Sequence, residues 1–198
     1  MTATDIAYDR GMGRWEPDAK GRLFVAARDL FAEQGFDETT VDQIARRAGV
    51  TERTFFRHFA DKREVLFGGD WLSVRMAEIV AGAPATATPI EIVMLAVEDS
   101  ADAITSSPEW SRQRQRIVSE HPDLQERELA KMAVLATVLR DGLEQRGVSA
   151  ISAQLAAELG VLAFRLAYDR WATSGDERPL VLVVRDLVDE LRAAASPA

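Results

Sequence analysis

Two short helices joined by a glycine turn are predicted by the stretch Val41-Asp-Gln-Ile-Ala-Arg-Arg-Ala-Gly-Val-Thr-Glu-Arg-Thr-Phe-Phe-Arg-His-Phe59. Thr40 and Thr51 each precede a helix and are good N-caps, because a threonine oxygen can accept a hydrogen bond from a backbone amide of the first turn. Ala45 and Gly49 allow a close crossing, since the helix contact needs a small residue and the turn a conformationally permissive one. This spacing is typical of a helix-turn-helix that binds DNA.

The side chains of this stretch separate into an apolar set and an outward polar set. The apolar set is expected to hold the two helices against a preceding helix, and it consists of Val41, Ile44, Val50, Phe55 and Phe59. Thr51, Glu52 and Arg53 are placed to read bases in a major groove, where arginine can pair with guanine and glutamate can accept from cytosine. A further group suits phosphate oxygens: Thr40, Thr54, Arg57, His58 and Lys62. A merely solvated helix face is the alternative interpretation.

The charge of the chain is unevenly distributed. All 198 residues together carry a net charge of −8, which argues against nucleic-acid binding because phosphate contacts usually require a basic surface. Residues 69–198 account for −7 of this charge and residues 1–68 for only −1. Residues 40–63 hold six Lys and Arg against three Asp and Glu, a local +3. The helix-turn-helix is therefore basic enough to meet phosphates.

Composition disfavours several classes of protein. With 47% hydrophobic and 28% charged residues the chain can fill a core, and we expect no run of the about 18 apolar residues that would span a bilayer. Because cysteine is absent and the first residues lack the apolar segment of a signal peptide, we expect a cytoplasmic protein. An enzyme is disfavoured, since His58 and His121 fall in different predicted domains and neither a phosphate loop nor metal-ligand spacing occurs. We expect no catalytic residues, no metal and no cofactor.

The rest of the chain is predicted to be helical, which gives an all-α protein of about nine helices. Apolar residues at intervals of three and four mark the helices, and Pro, Gly and Ser residues separate them. The expected spans are about 17–34, 41–48, 52–58, 61–80, 90–106, 109–120, 123–146, 149–174 and 179–195. Residues 81–89 contain a glycine and two prolines, so they are the best candidate for a linker.

Three segments resemble the TetR family of transcriptional regulators. They are Leu23-Phe-Val-Ala-Ala-Arg-Asp-Leu-Phe-Ala-Glu-Gln-Gly-Phe36, Thr39-Thr-Val-Asp-Gln-Ile-Ala-Arg-Arg-Ala-Gly-Val50 and Thr54-Phe-Phe-Arg-His-Phe-Ala-Asp-Lys62. The resemblance implies a homodimer with an N-terminal helix-turn-helix domain, followed by a larger helical ligand-binding and dimerisation domain. The corresponding boundaries are an arm at 1–16, the DNA-binding domain at 17–63, a connecting helix at 64–84 and the second domain at 85–198.

The resemblance also implies roles for single residues. Thr40 and Lys62 fall where the family contacts phosphate, and Thr51, Glu52 and Arg53 fall where it reads bases. Phe56 is a departure, because this position commonly holds a tyrosine whose hydroxyl meets a phosphate. Arg57 or His58 is then expected to carry more of the anchoring. Residues 1–16 contain Arg10 and Arg14 and form either a disordered tail or an arm that inserts arginine into the minor groove.

Two helices near the C-terminus are suited to self-association. Residues 149–174 carry a stripe of small residues and a second face of leucines, and a helix with two apolar faces has two neighbours. Paired with their symmetry mates, this helix and the last one would form a four-helix bundle. The expected interface comprises Ala156, Gly160, Ala163, Ala167, Val184, Leu187 and Leu191. Burial of these residues within one subunit is the alternative.

A ligand pocket is expected in the second domain. Aromatic side chains suited to line it are Trp71, Trp110, Phe164, Tyr168 and Trp171, and polar side chains suited to orient a ligand are Arg112, Arg116, His121 and Arg165. Core packing is the alternative for each aromatic residue. The cluster of Arg112, Arg114 and Arg116 is expected to be mostly solvated. Arg112 and Arg116 share a helix face and Arg114 does not, and such a pair would suit a carboxylate or phosphate if it pointed inward.

The leading hypothesis is a ligand-responsive transcriptional regulator. It would be a homodimeric repressor that binds a palindromic operator in double-stranded DNA, is released by a small-molecule effector and does not associate with a membrane. The segments Glu109-Trp-Ser-Arg112 and Ile117-Val-Ser-Glu-His-Pro-Asp-Leu-Gln125 are similar to actinobacterial TetR-type regulators, some of which respond to lipophilic or acyl-type molecules. A constitutive DNA-binding regulator without an effector is the alternative.

Overall fold

The computed structural model describes residues 19–105, 107–175 and 177–195, and their regular secondary structure is entirely helical. Ten helices follow one another in the described chain: α1 Ala19–Gln34, α2 Val41–Arg47, α3 Glu52–His58, α4 Lys62–Leu66, α5 Trp71–Gly82, α6 Pro89–Ile104, α7 Pro108–Glu120, α8 Pro122–Gln145, α9 Ala150–Ser174 and α10 Leu180–Ala195. The predicted all-α class is confirmed. The expected arm at 1–16, with Arg10 and Arg14, lies outside the described residues.

A glycine pair accounts for the tenth helix. The helix expected over 61–80 is two helices, α4 and α5, because Gly68 and Gly69 between them have φ angles of 67° and 76°. This left-handed conformation ends a right-handed helix, and glycine adopts it without the steric cost that a Cβ would add. The prediction of one continuous helix was therefore wrong.

The chain divides into two compact units, Met1–Asp70 and Trp71–Ala198. In the first unit, α1 lies against α2 and α3 with its apolar side chains inward. Leu23 of α1, Ile44 of α2 and Phe55 of α3 are all completely buried. These three helices form the core that positions the predicted DNA-binding residues. The functional roles expected for 17–63, 64–84 and 85–198 stay predictions.

The second unit is built around α9. This helix packs against α6, α8 and α10, and ten of its 25 residues are buried. By length and composition alone α9 could cross a membrane, since an 18-residue window has a mean hydropathy of 1.4. Its buried residues instead belong to the hydrophobic core of the unit, together with residues of α5, α6, α8 and α10. The apolarity of α9 is thus accounted for by its central place in the core.

Candidate nucleic-acid interface and effector site

Both helices of the helix-turn-helix begin at a threonine cap. Thr40 Oγ1 accepts a hydrogen bond from Gln43 N at 3.2 Å, and Gln43 Oε1 accepts one from Thr40 N at 2.8 Å, which completes a capping box. Thr51 Oγ1 accepts from Thr54 N at 3.2 Å in the same way. The predicted N-caps are confirmed. Because Thr40 is exposed, its hydroxyl hydrogen can still be donated to a phosphate oxygen.

The turn between α2 and α3 is fixed by backbone hydrogen bonds. Gly49 has a φ of 68°, and the amide of Val50 donates to Ala45 O at 2.9 Å. Arg22 Nε of α1 donates to Ala48 O at 3.0 Å, which ties the turn to the first helix. Ala45 is only 1% exposed, as a close helix crossing requires. These contacts hold α3 in one orientation on the unit.

The outward face of α3 presents most of the residues predicted to bind DNA. Glu52, Arg53, Phe56 and Arg57 are exposed, and so is the cap residue Thr51. Thr54 and His58 are half-buried, while Phe55 and Phe59 fill the core. The predicted base-reading set and most of the phosphate set therefore lie together on one accessible surface.

Some cations near α3 are already neutralised by carboxylates. Arg46 pairs with Asp42, and the Arg47 guanidinium donates two hydrogen bonds to Glu33 at 2.6 and 2.7 Å. These bonds hold the pKa of the Glu33 carboxyl below its usual value and raise the pKa of Arg47. In the described parts of the chain no carboxylate pairs with Arg53 or Arg57, although Arg57 Nη2 lies 3.4 Å from His58 Nε2. Arg53 and Arg57 therefore place positive charge on α3 that no carboxylate of the described residues pairs with.

Lys62 is held by backbone carbonyls. Its ammonium donates to Phe36 O at 2.7 Å, Thr39 O at 2.8 Å and Asp37 O at 3.1 Å, and it lies 4.4 Å from the centroid of the Phe36 ring. Burial lowers the pKa of this lysine. Since an ammonium has three donors, none remains for phosphate in this arrangement. Lys62 closes the loop between α1 and α2 in this structure, and its expected phosphate contact stays a prediction.

This helix-turn-helix coincides with a known family of domains, since residues 23–68 match the family model described as "Bacterial regulatory proteins, tetR family". The match shows that residues 23–68 are similar to the DNA-binding domain of the TetR family. The chain is 52% identical over 46 residues to the transcriptional regulator TcmR of Streptomyces glaucescens, a match covering 23% of this chain and 20% of TcmR. It is 40% identical over 77 residues to the transcriptional repressor KstR2 of Mycobacterium tuberculosis, covering 36% and 37% of the two chains. The chain thus matches only about a fifth to two fifths of the length of these curated relatives.

Solved structures support the same fold over most of the chain. The TetR-family repressor FadR of Thermus thermophilus, solved with lauroyl-CoA, has 24% identity and a TM-score of 0.57, covering 90% of this chain and 96% of FadR. The regulator FadR of Bacillus subtilis, solved with stearoyl-CoA, has 18% identity and a TM-score of 0.52, covering 86% and 96%. At these identities the likeness shows a shared fold.

In the second unit, four of the predicted pocket aromatics are buried. They are Trp110, Phe164, Tyr168 and Trp171, each at most 9% exposed. Phe164 and Tyr168 stack with centroids 6.4 Å apart, and the Arg112 guanidinium lies 5.1 Å from the Trp171 centroid. Trp71 and Arg165 are half-buried, and His121 Nδ1 lies 2.7 Å from Ile117 O at the end of α7. The assignment of these residues to a ligand pocket stays a prediction.

Arg114 of α7 lies differently from what was predicted for the arginine cluster. Arg116 is exposed, whereas Arg114, expected to be solvated, pairs with Glu128 of α8 at 2.8 Å, with only 14% and 18% of the two side chains exposed. Arg114 also lies 5.7 Å from the centroid of Tyr168, and burial raises the pKa of that phenol. Arg114 and Glu128 each lie seven residues from His121, where α7 ends and α8 begins. This equal spacing on either side of the junction is the sequence signal that could have indicated their contact.

A second polar pair lies next to the first. Gln115 Nε2 donates to Asp169 Oδ1 at 2.7 Å, and burial raises the pKa of the Asp169 carboxyl. Gln115 is 9% exposed, and its Oε1 has no hydrogen-bond partner among the described residues. Sequence reasoning missed Gln115, Glu128 and Asp169, because their burial depends on how α7, α8 and α9 pack together.

The small-residue stripe of α9 lies inside the unit. Ala156, Ala163 and Ala167 are at most 7% exposed, and a Cβ on Gly160 would lie 2.1 Å from Val93 Cγ1 of α6. Val184 of α10 is completely buried, Leu187 packs against the same core, and Leu191 is exposed. Side chains already buried in one chain add no area to a contact with another. The burial of the stripe and of Val184 within one chain favours the alternative given for them, and their place in a dimer interface stays a prediction.

A row of leucines on the other face of α9 is exposed instead. This row, here called the leucine face, consists of Leu155, Leu159, Leu162 and Leu166, which are 59%, 37%, 40% and 42% exposed. The four positions recur at intervals of three and four and so share one side of the helix. They are a contiguous apolar surface available to a second copy.

Proposed function

We propose that this protein is a TetR-family transcriptional repressor that binds a palindromic operator as a homodimer and is released by a small-molecule effector. The observation that carries the proposal is the exposed face of α3, where Arg53 in the first turn and Arg57 in the last turn have no carboxylate partner among the described residues. Arg53 would read a base and Arg57 would bind phosphate, while Thr40 and Thr54 add hydroxyl contacts to the backbone. The proposed action on DNA implies a cytoplasmic protein.

The DNA-binding part is tested by fluorescence anisotropy on duplex DNA from upstream of the protein's own gene. Arg53→Lys keeps the charge but loses the two-pronged hydrogen bonding of the guanidinium, so it is expected to reduce affinity for the upstream DNA more than for random DNA. Arg75→Lys changes an exposed arginine of α5 and is the matched control. Equal affinity for both DNAs, unaltered by Arg53→Lys, would rule out specific binding.

The dimer is proposed to form through the leucine face. Two recognition helices on a palindrome require a two-fold assembly, and α9 offers an unpartnered apolar row for it. Leu159→Glu combined with Leu166→Glu is expected to yield folded monomers in sedimentation velocity experiments. Leu129→Glu, which changes a leucine of α8 that is 58% exposed, should leave the assembly unchanged. A dimer that persists in the double variant would place the interface elsewhere.

The effector is proposed to be lipophilic or of acyl type. Support comes from the buried aromatic cluster with Arg112 beside it, and from the acyl-CoA molecules bound by the two FadR proteins of similar fold. The effector would have to bind the DNA-competent and released conformations unequally, because equal affinity shifts no population.

Lauroyl-CoA is the first probe, with coenzyme A and laurate as controls. We expect lauroyl-CoA to raise the melting temperature and to weaken DNA binding, and we expect Arg112→Gln to reduce both effects. Arg116→Gln is the matched control, because Arg116 is exposed on the same helix. DNA binding that is intact while none of the three probes changes stability or affinity would favour the constitutive regulator.

A further inference from the structure

Phe56 is an exposed aromatic residue on the face of α3 that carries the proposed base-reading residues. It is 54% exposed, although its neighbour Phe55 is completely buried. Phe56 follows Glu52 by four residues and Arg53 by three, and residues at these intervals are neighbours on one helix surface. Any DNA surface that meets Glu52 and Arg53 therefore also meets the Phe56 ring.

The ring of Phe56 is held by the core beneath it. It meets the ring of Phe55 edge to face, with centroids 5.5 Å apart and an interplanar angle of 84°. Phe55 is in turn 5.6 Å from Phe59, which is 2% exposed. Edge-to-face contact is a favourable arrangement of two aromatic rings. Phe56 thus presents a supported apolar surface on an otherwise polar helix face.

A phenylalanine ring offers no conventional hydrogen-bond donor or acceptor, so it can read only an apolar feature of a base. In the major groove the apolar group that a standard base pair presents is the C5 methyl of thymine. Side chains one helix turn apart are separated by about 5–6 Å, whereas successive base pairs rise by about 3.4 Å. Phe56 would then lie one or two base pairs from the base that Arg53 contacts.

We infer that Phe56 is a specificity-determining residue that recognises the C5 methyl group of a pyrimidine, thymine in unmodified DNA, in each operator half-site. The inference rests on the proposed function, because it requires α3 to enter a major groove. The same methyl group on 5-methylcytosine would satisfy the contact equally. Tyrosine at this position would preserve the ring and with it the methyl contact.

The test uses the full-length protein and duplexes selected by it from a random library. Each thymine of the selected site is replaced singly by uracil, which removes only the C5 methyl, and affinity is measured by fluorescence anisotropy. We expect one thymine in each half-site whose replacement weakens binding about fourfold, the effect of about one methylene of apolar burial. Cytosine at that position should bind less well than 5-methylcytosine.

Variants of Phe56 assign the effect to this side chain. Phe56→Ala should bind the thymine and uracil duplexes equally, and Phe56→Tyr should retain the difference. Both variants should stay folded at the assay temperature, which circular dichroism checks, because Phe56 is 54% exposed and alanine removes only its contact with the Phe55 ring. Failure of the parent protein to select any sequence would contradict the proposed function, which requires sequence-specific DNA binding. Selection with no uracil effect, or a uracil effect that survives Phe56→Ala, would overturn this inference alone.

Discussion

Lys62 lies among backbone carbonyls, where it links the end of the α1–α2 loop to the start of α4. The ammonium of Lys62 donates all three hydrogen bonds. A hydrogen bond to a charged group typically contributes about 1.5–3 kcal/mol to the free energy of unfolding. The loop carbonyls of Phe36, Asp37 and Thr39 would lose their shared donor without this ammonium. At the scale of the residue, Lys62 therefore stabilises the domain that presents α3.

We expect Lys62→Met to lower the free energy of unfolding by about 2 kcal/mol, since the aliphatic stem remains but the three bonds are lost. Urea denaturation followed by circular dichroism measures the change. Arg53→Met removes an exposed cation from the same unit and should leave stability nearly unaltered. An undiminished stability of Lys62→Met, together with weaker DNA binding, would instead support the direct phosphate contact that the family resemblance implies.

Asp169 makes the stability of the second unit depend on pH. Burial raises the pKa of its carboxyl, so the folded protein binds this proton more tightly than the unfolded chain does. The resulting stabilisation is fully present below the usual pKa of 3.8 and is lost as the pH rises through the raised value. Asparagine avoids that loss, and its carbonyl can still accept the hydrogen bond from Gln115.

Asp169→Asn is therefore expected to be more stable than the parent protein at pH 7, with the difference shrinking as the pH falls towards 4. Urea midpoints measured across this range provide the test. Asp102→Asn, a change at an exposed aspartate of α6, is the control for a general effect of removing one negative charge. A constant difference between Asp169→Asn and the parent at every pH would contradict the argument.

At the scale of the element, local signals predicted helices better than they predicted which helix faces are buried. The threonine caps, the Gly49 turn and the amphipathic spacing of α1 are local, and each was correctly read from the sequence. The pair Gly68 and Gly69 was also a local stop signal, and the longer apolar periodicity around it concealed the break. The α9 stripe differs, because small residues permit close packing against a neighbour within the chain or in another copy equally well.

A substitution at Gly160 shows whether the small-residue stripe of α9 packs against a helix of the same chain or against a second copy. We expect Gly160→Ala to destabilise the fold by about 1–3 kcal/mol, because the added Cβ would overlap Val93 on α6. Val93→Ala in the same chain should recover part of the loss in thermal or urea denaturation. Gly82→Ala is a matched control, since nothing lies within 4 Å of its added Cβ. Weaker dimerisation without a loss of subunit stability would instead support the predicted place of Gly160 in the dimer interface.

At the scale of the whole molecule, charge is divided between the two parts of the chain. Residues 69–198 carry a net −7, so contacts of DNA with that part are disfavoured. The local +3 of residues 40–63 overstates the positive charge that is available to DNA phosphates. Arg46 and Arg47 are paired with carboxylates, and Lys62 is held by backbone carbonyls. Composition could not reveal this, since the carboxylate Glu33 and the carbonyl of Phe36 become neighbours of these cations only in the folded unit.

Few cations at the interface imply a shallow dependence of DNA affinity on salt. Each phosphate neutralised contributes about −0.9 to the slope of log K against log salt concentration. If Arg57 binds one phosphate in each half-site of a dimer, Arg57→Gln should reduce the magnitude of the slope by about 1.8, and by about 0.9 if a single copy binds. Anisotropy titrations between about 50 and 200 mM salt cover the range over which such slopes are resolved.

Arg185→Gln, a change at an exposed arginine within the acidic residues 69–198, should leave the slope unaltered. An unchanged slope for Arg57→Gln would move the phosphate anchor away from α3, whereas the size of a change counts the copies of the chain on the operator.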